Sequence, residues 1–134
     1  MNEFPVELTE EEWRAKLDPE QYRVLREKGT ERPFTHEFWN QSPKGTYTCA
    51  ACDTPLFTDE QKFVSMCGWP AFYDAVESGK VKEIEDYSHG MIRTEVVCAN
   101  CGGHLGHVFN DAPHTPTGLR YCINGVSLNF VPAA

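Results

Sequence analysis

The spacing of apolar and polar residues divides the chain into a helical first part and a second part of short strands. Thr9–Glu12 has the form of a capping box, in which the side chains of the first and fourth residues accept hydrogen bonds from each other's backbone N–H groups. The apolar residue Trp13 follows directly. The pattern therefore predicts a short helix that begins here.

A second helix is predicted immediately afterwards. Asp18 is a favourable N-cap residue, and Pro19 suits the first helical position because an N–H group there would have no intrahelical partner. Tyr22 and Leu25 are three positions apart and share one face of the predicted helix. Gly29 is the expected C-terminal stop, and an irregular arm leads on from it.

From about Gly45 onward the pattern changes to short strands separated by turn residues. Val81–Tyr87 and Met91–Val97 flank Ser88–Gly90, which predicts an antiparallel hairpin. His104–Phe109 is a further predicted strand.

A second hairpin is predicted near the end of the sequence. Leu119–Ile123 and Val126–Phe130 flank Asn124-Gly125, a dipeptide that strongly favours a two-residue hairpin turn. We therefore predict one mainly β domain over residues 1–134. It has a helical N-terminal arm at about 1–40 and a largely antiparallel β part at about 41–134.

The overall composition argues against two classes of partner. Asp and Glu outnumber Lys and Arg by 20 to 12, which gives a net charge of −8. Binding to nucleic acid needs clustered basic residues that displace phosphate counterions, and the sequence has no such cluster. No run approaches the roughly 20 apolar residues of a membrane span, and residues 1–5 do not have the form of a secretory signal. We expect a cytoplasmic monomer that binds neither nucleic acid nor a membrane.

Four of the six cysteines form two matched pairs. Cys49-Ala-Ala-Cys52 and Cys98-Ala-Asn-Cys101 have the spacing of two knuckles that together bind one tetrahedral Zn²⁺ ion. Gly102-Gly103 follows the second knuckle and allows a turn that points backbone N–H groups at sulfur. Because four thiolates leave no open coordination position, the predicted ion is structural. Buried cysteines or disulfides are the alternative interpretation.

The two remaining cysteines are candidates for redox chemistry. Cys122 lies in a predicted strand, where residues two apart share a face, so Arg120, Cys122 and Asn124 project together. The Arg120 guanidinium would favour the thiolate, and Asn124 would donate a hydrogen bond to it. Cys122 is therefore the candidate nucleophile. The alternative is a cysteine that only packs in the core.

Cys67 and Trp69 lie in a predicted surface loop. Gly68 and Pro70 favour such a loop, which suits a second thiol that has to approach the first. From the residues alone, a resolving Cys67 and a structurally idle Cys67 are both open. Trp69 either offers a flat apolar surface to a methyl thioether or packs as an ordinary core aromatic residue.

Three segments of the chain resemble the signature segments of the B-type methionine sulfoxide reductases. These segments are Cys67–Tyr73, His104–Phe109 and Arg120–Asn124, and they occur in the family's order. The paired cysteine knuckles resemble the zinc-containing branch of that family. The similarity extends from about Tyr22 to Phe130. Gly125 stands where Ser or Ala is frequent in the family, and we expect it to tighten the predicted hairpin.

The resemblance implies a β-tent-like fold of two antiparallel sheets and an enzyme that repairs oxidative damage. The implied reaction is reduction of the R epimer of methionine sulfoxide in peptides and proteins, with thioredoxin as the reductant. Cys122 matches the catalytic cysteine, Cys67 the resolving cysteine, and Trp69 the residue that contacts the substrate methyl group. The matching polar residues of the active site, among which Asp111 is assigned to substrate binding, are His104, His107, Asp111, Arg120 and Asn124. The matching zinc ligands are Cys49, Cys52, Cys98 and Cys101.

The expected chemistry uses the oxidation states of cysteine sulfur. The Cys122 thiolate attacks the sulfoxide and becomes a sulfenic acid as methionine leaves, and Cys67 then condenses with it to a disulfide. His107 is the first candidate for the acid that protonates the departing oxygen, and His104 is the second. Residues three apart on a regular strand face opposite sides. Both histidines can therefore line one pocket only if Gly106 allows a bulge or bend.

Two other functions fit parts of the pattern. A zinc-knuckle interaction domain would need neither Cys122 nor Cys67. A different thiol–disulfide exchanger would usually carry its redox pair as C-x-x-C. Consumption of one epimer of a methionine sulfoxide peptide would distinguish the reductase from both alternatives.

Overall fold

The computed structural model describes residues 4–41, 43–87 and 90–133. Within these ranges the chain forms two α-helices, Glu10–Lys16 (α1) and Pro19–Leu25 (α2), followed by nine strands. The strands span, in chain order, Gly45–Cys49 (β1), Pro55–Thr58 (β2), Lys62–Phe63 (β3), Ala71–Phe72 (β4), Val81–Asp86 (β5), Arg93–Cys98 (β6), His104–Phe109 (β7), Arg120–Ile123 (β8) and Leu128–Pro132 (β9). The predicted mainly β class is confirmed. Across the described ranges, no helix has the length and apolar character that a membrane crossing requires.

Both predicted helix starts are confirmed. The Thr9 hydroxyl accepts the Glu12 N–H at 3.1 Å, and the Glu12 carboxylate accepts the Thr9 N–H at 2.9 Å. Asp18 and Gln21 exchange the same two hydrogen bonds at the start of α2. Each capping box satisfies two N–H groups that the helix itself leaves without partners.

The predicted end of the second helix was wrong. α2 ends at Leu25, four residues before Gly29. Lys28 has a left-handed backbone with φ 58°, and its ammonium group pairs with the buried Glu95 carboxylate at 3.1 Å. The left-handed residue that turns the chain is therefore Lys28, one position before glycine. Gly29 then closes the turn by donating its N–H to the Arg23 carbonyl at 2.9 Å.

The strands form two antiparallel sheets. The smaller has the order β2-β1-β9, and the larger has the order β3-β4-β8-β7-β6-β5. The predicted β5–β6 hairpin is confirmed, with register pairs from Val81 and Cys98 to Asp86 and Arg93. Of its predicted turn, residues 88 and 89 lie outside the described ranges.

The predicted C-terminal hairpin was wrong. β8 pairs with β4 and β7 in the larger sheet, whereas β9 pairs with β1 in the smaller one. Asn124 has φ −66° and ψ 126°, and a 3₁₀ turn at Gly125–Ser127 carries the chain between the sheets. Gly125 therefore does not tighten a hairpin. A Cβ atom there would lie 2.1 Å from the Cγ atom of the His36 ring, so close packing explains the glycine.

The core lies between the two sheets and is rich in aromatic rings. Phe57 of the smaller sheet stacks on Phe72 of the larger one with ring centroids 4.3 Å apart, and Tyr47 meets Phe72 edge-on at 5.3 Å. These three residues are fully buried. Each such ring contributes about 1.5–3 kcal/mol through burial. Because Phe72 lies in β4, this packing also fixes the loop 64–70 against β8.

Candidate active site and metal centre

Cys122 occupies the middle of the larger sheet. It lies in β8, where its register partners are Ala71 of β4 and His107 of β7. Side chains opposite each other on paired strands share a face. β7 therefore places the His107 imidazole on one side of the Cys122 sulfur. β4 places the loop 64–70, which precedes β4, on the other side of that sulfur.

That loop places Cys67 against Cys122. The two Sγ atoms are 3.0 Å apart. Gly68 has φ 88°, and a Cβ atom there would lie 2.6 Å from the Pro33 Cβ, so glycine is required by both backbone and space. Ile123 donates its N–H to the Pro70 carbonyl at 2.9 Å and ties the end of the loop to β8. The structure thus brings together the two cysteines that the zinc pattern left over.

Arg120 faces the same sulfur pair. One of its terminal nitrogens donates to the Cys122 Sγ. Its Nε and other terminal nitrogen bind the two oxygens of Asp111, each at 2.8 Å. The Asp111 side chain is 54% exposed and lies behind Arg120, away from the sulfur pair. Asp111 therefore orients the guanidinium, and its expected part in substrate binding stays a prediction.

The pKa values of the Cys67 and Cys122 thiols depend on each other. A hydrogen bond from the Cys122 thiol lowers the pKa of Cys67 to about 5. The same contact, together with burial, raises the pKa of Cys122. The Arg120 charge favours the ionised form of both thiols. At neutral pH the pair therefore carries one negative charge, shared across 3.0 Å and facing a guanidinium.

Asn124 lies in the cavity wall, but its carboxamide bridges two backbones. The Oδ1 atom accepts the Glu31 N–H at 2.9 Å, and the Nδ2 atom donates to the Leu105 carbonyl at 2.9 Å. The sequence predicted that Asn124 donates a hydrogen bond to the Cys122 thiolate. That prediction was wrong, because the Asn124 amide donates to the Leu105 carbonyl instead. The side chain instead fixes the arm at Glu31 to the strand that carries the histidines.

Trp69 is held by the same arm. Its indole N–H donates to the Glu31 carbonyl at 3.0 Å, which leaves the ring at the cavity wall. The Glu31 carboxylate is buried and accepts the Val126 N–H at 2.9 Å. Glu31 was missed by the sequence reasoning because a single charged residue in an irregular arm has no pattern that marks it as buried.

The bend expected at Gly106 is confirmed. The register between β6 and β7 shifts at this point, so that Val96 pairs with Gly106 but Val97 pairs with His104. This bulge places His104 and His107 on the same side, with ring centroids 5.6 Å apart. A Cβ atom at Gly106 would lie 1.9 Å from the Cys122 carbonyl oxygen, so the close strand pairing also requires glycine here.

Each histidine contacts one carboxylate. The His107 Nε2 atom lies 2.8 Å from Asp86, and the His104 Nδ1 atom lies 2.7 Å from the buried Glu95. Burial lowers the pKa of His107, and the hydrogen bond with Asp86 opposes that change. His107 lines the cavity, whereas His104 is buried behind it. The two carboxylates were not predicted, because they come from the neighbouring strands β5 and β6 and their contacts depend on the register of the sheet.

These side chains surround a cavity of about 210 Å³. The predicted site residues that line it are Cys67, Trp69, His107, Arg120, Cys122 and Asn124. Arg93 and Phe109 also line it and were not singled out from the sequence. The Phe109 ring packs against the Arg120 guanidinium at 4.7 Å. An apolar wall and a polar wall thus meet at the sulfur pair.

The four knuckle cysteines form a separate cluster. Their Sγ atoms all lie within 4.8 Å of one another, with Cys49–Cys101 at 3.7 Å and Cys52–Cys98 at 3.6 Å. A tetrahedral ion with metal–sulfur bonds of about 2.3 Å requires sulfur atoms about 3.8 Å apart. Gly103 also points its N–H at the Cys101 sulfur, at 3.4 Å, as predicted. The cluster fits a structural metal ion.

The N-terminal helices hold this cluster in place. Arg26, just after α2, donates to the Cys101 carbonyl at 3.0 Å, and its guanidinium stacks on Trp13 of α1 at 4.5 Å. The N-terminal arm therefore contacts the four-cysteine cluster through Arg26 and reaches the cavity through the hydrogen bond between Glu31 and Trp69.

Two contacting thiols beside a cation, on a scaffold with a four-cysteine cluster that fits a metal ion, define a cysteine-based redox protein. Comparison with known proteins specifies the family. Residues 17–132 match the SelR domain. Over 127 residues the chain is 59% identical to the peptide methionine sulfoxide reductase MsrB of Agrobacterium fabrum and 60% identical to that of Pseudomonas putida. These matches cover 95% of this chain and 93% and 95% of the relatives. The MsrB of Methanosarcina barkeri is 58% identical over 130 residues, which is 97% of this chain and 91% of the relative. The chain belongs to the SelR domain family of B-type methionine sulfoxide reductases.

Proposed function

We propose that this reductase converts the R epimer of methionine sulfoxide in peptides and proteins to methionine, using Cys122 and Cys67 as its electron donors. The single observation that carries the proposal is the 3.0 Å contact between the two sulfur atoms beside Arg120. It supports a reaction in which one sulfur takes up oxygen and the other closes a disulfide.

Substrate recognition is assigned to the two walls of the cavity. The Trp69 indole, held from behind by its N–H bond to Glu31, offers a flat apolar surface for the S-methyl group. His107 and Arg120 also line the cavity, and we assign the sulfoxide oxygen to this second, polar wall. A sulfoxide with its methyl group on one wall and its oxygen on the other presents a fixed configuration at sulfur. This arrangement is the basis of the proposed preference for one epimer.

The first chemical step transfers the sulfoxide oxygen to the enzyme. Cys122 first passes its thiol proton to the Cys67 sulfur across their hydrogen bond. The resulting Cys122 thiolate attacks the sulfoxide sulfur while His107 gives a proton to the oxygen. The sulfur–oxygen bond of the substrate breaks, the oxygen becomes the hydroxyl of a Cys122 sulfenic acid, and methionine leaves. Two electrons have passed from the Cys122 sulfur to the substrate sulfur.

The second step closes the disulfide. The Cys67 sulfur attacks the Cys122 sulfenic acid, and the hydroxyl leaves as water with one proton. A dithiol, proposed to be thioredoxin, then reduces the disulfide and is itself oxidised to a disulfide. The balance is one sulfoxide and one dithiol converted to one thioether, one disulfide and one water. We place the reaction in the cytoplasm and expect the enzyme to act as a monomer.

The metal is proposed to be one Zn²⁺ ion bound by Cys49, Cys52, Cys98 and Cys101. Four thiolates close its coordination shell, so its contribution is structural. By joining the β1–β2 connection to the end of β6, it fixes the β6–β7 pair that presents the histidines.

Reduced protein and a peptide that contains racemic methionine sulfoxide test the proposal. The R epimer should be consumed to one equivalent per enzyme without an external reductant, and mass spectrometry should then find a Cys67–Cys122 disulfide. A peptide with only the S epimer is the control and should stay unchanged. Consumption of the S epimer, or of neither, would contradict the proposal.

A further inference from the structure

We propose that Asp86 is a positioning residue for the reaction. It keeps one proton on the Nε2 atom of His107, so that the second proton, on the Nδ1 atom, is the one delivered to the sulfoxide oxygen. This inference deepens the proposed function and rests on it. It assigns a role to a residue of β5 that no sequence pattern marked.

The geometry fixes which ring nitrogen faces the carboxylate. An Asp86 carboxylate oxygen lies 2.8 Å from the His107 Nε2 atom. Both side chains are nearly buried, at 11% and 14% exposed. An ionised carboxylate only accepts hydrogen bonds, so Nε2 must carry the hydrogen in the neutral ring as well as in the imidazolium. The other nitrogen, Nδ1, is then the one that gains and loses a proton.

Asp86 is itself held by its neighbour strand. It ends β5 and pairs in register with Arg93, whose guanidinium lies 3.6 Å from the same carboxylate oxygen that faces His107. Arg93 also lines the cavity. A carboxylate held by an arginine keeps its negative charge and its orientation, as a ring-positioning group requires.

The charges around His107 make this carboxylate necessary. Burial lowers the pKa of His107, and the charges of Arg93 from β6 and of the second imidazole, His104, act in the same direction. The Arg120 guanidinium from β8 also lines the cavity. The negative groups near it are Asp86 from β5, Glu95 from β6 and the thiol pair of Cys122 and Cys67. Glu95 is occupied by His104 and Lys28. Asp86 is the carboxylate that contacts the His107 ring and favours its protonated form.

The proton balance follows from this arrangement. The imidazolium has hydrogens on both nitrogens before the reaction. As the Cys122 thiolate attacks the substrate sulfur, the Nδ1 hydrogen passes to the sulfoxide oxygen, and the oxygen moves to the Cys122 sulfur as a hydroxyl. His107 is left neutral with Nε2–H still donating to Asp86. The external dithiol later reduces the disulfide to a Cys122 thiolate and a Cys67 thiol, and the one proton that this releases restores the acid for the next cycle.

Asp86→Asn tests the inference, with Asp86→Glu as the conservative variant. Glu85→Gln is the matched control, because it removes an exposed carboxylate from the adjacent position of β5. Long-range ¹H–¹⁵N spectra of the imidazole nitrogens report the tautomer and the pKa of His107 without any turnover. One-turnover methionine formation, followed as a function of pH, reports the acid step.

We expect wild-type His107 to be the Nε2–H tautomer when neutral. In Asp86→Asn the pKa of His107 should fall. The one-turnover rate at pH 7 should fall by about tenfold or more, which is a part of the roughly 10²- to 10⁴-fold rate increase that a positioned acid contributes. Asp86→Glu should recover part of the rate, and Glu85→Gln should match the wild type.

Two results would overturn the inference. One is a wild-type Nδ1–H tautomer, and the other is an unchanged pKa and rate in Asp86→Asn. If the spectra show the expected tautomer and pKa change but the wild type consumes no sulfoxide, Asp86 positions His107 as inferred and the proposed function is wrong instead.

Discussion

The Sγ atoms of Cys67 and Cys122 lie 3.0 Å apart in the reduced protein, although 55 positions separate the two residues. The sulfur that we propose as the resolving one, Cys67, is thus already beside the proposed nucleophile, Cys122, before any oxidation. Because each thiol shifts the pKa of the other, substitution of either cysteine changes the pKa of the one that remains.

Substitution of each cysteine should separate the two chemical steps. Cys122→Ser removes the nucleophile and should abolish methionine formation. Cys67→Ser should still release one methionine per enzyme and then stop with a sulfenic acid on Cys122, which dimedone labels and mass spectrometry detects. Multiple turnovers by Cys122→Ser with a dithiol present would show that the roles are assigned wrongly.

The thiol pair should ionise at unusually low pH. The lowered pKa of Cys67, about 5, means that a thiolate is present above that pH, whereas an ordinary cysteine has a pKa near 8.5. Alkylation of the pair by iodoacetamide, mapped by peptide mass spectrometry, should therefore rise through about pH 5. Arg120→Met removes a positive charge that favours the thiolate and should move the midpoint upward by about one unit.

Arg14→Met is the control for that titration. It removes an exposed arginine of α1, distant from the pair in the fold, and should leave the alkylation profile unchanged. Asp111→Asn should move the midpoint in the opposite direction to Arg120→Met, because it removes a negative charge that raises the pKa of the Cys122 thiol. An unchanged midpoint in Arg120→Met would contradict the electrostatic role of Arg120.

Gly125→Ala should destabilise the protein through His36. The added methyl group would lie 2.1 Å from the imidazole Cγ, and overpacking of this kind costs about 1–3 kcal/mol in the free energy of unfolding. His36→Ala in the same chain makes room for that methyl group. Urea unfolding should show that the double variant is more stable than Gly125→Ala alone. Additive losses would show that the two residues do not compete for space.

Glu31→Ala should loosen the tryptophan wall of the cavity. Without its carboxylate, the arm loses the hydrogen bond to Val126 N–H, and the carbonyl that holds Trp69 is no longer fixed. Loss of a buried hydrogen bond of about 1–3 kcal/mol corresponds to roughly 5- to 150-fold faster exchange of the Trp69 indole N–H. KM for the sulfoxide peptide should rise more than kcat falls. Glu37→Ala, an exposed glutamate of the same arm, should change neither.

Removal of the metal should unfold the protein. A structural Zn²⁺ site contributes about 10–16 kcal/mol, which equals or exceeds the total stability of about 5–15 kcal/mol of a typical domain. Elemental analysis should find one zinc ion per chain in the wild type and none in Cys52→Ser, which should also lose its cooperative thermal transition. Cys67→Ser should keep the zinc and the transition. A Cys52→Ser variant that folds as stably as the wild type would contradict a structural metal.

The sequence by itself determined the features that depend on neighbouring residues. Both helix starts, at Thr9 and Asp18, follow from side chains that reach a backbone N–H three positions away. The two C-x-x-C knuckles were recognisable because short loops place two sulfurs close together, and the division of the cysteines followed from them. The bend at Gly106 was also predictable, as the condition for two histidines three apart to share a side.

Only the tertiary structure decided what depends on distant segments. Asn124-Gly125 favours a hairpin locally. In the folded chain, however, β9 forms its backbone pairs with β1, and the His36 ring packs against Gly125. Asn124, Glu31 and Asp86 acquire their roles from partners on other elements, such as Leu105, Val126 and His107. A polar side chain can satisfy its hydrogen bonds with any correctly placed group. The sequence therefore shows that such a residue can bond, and the folded chain alone selects its partner.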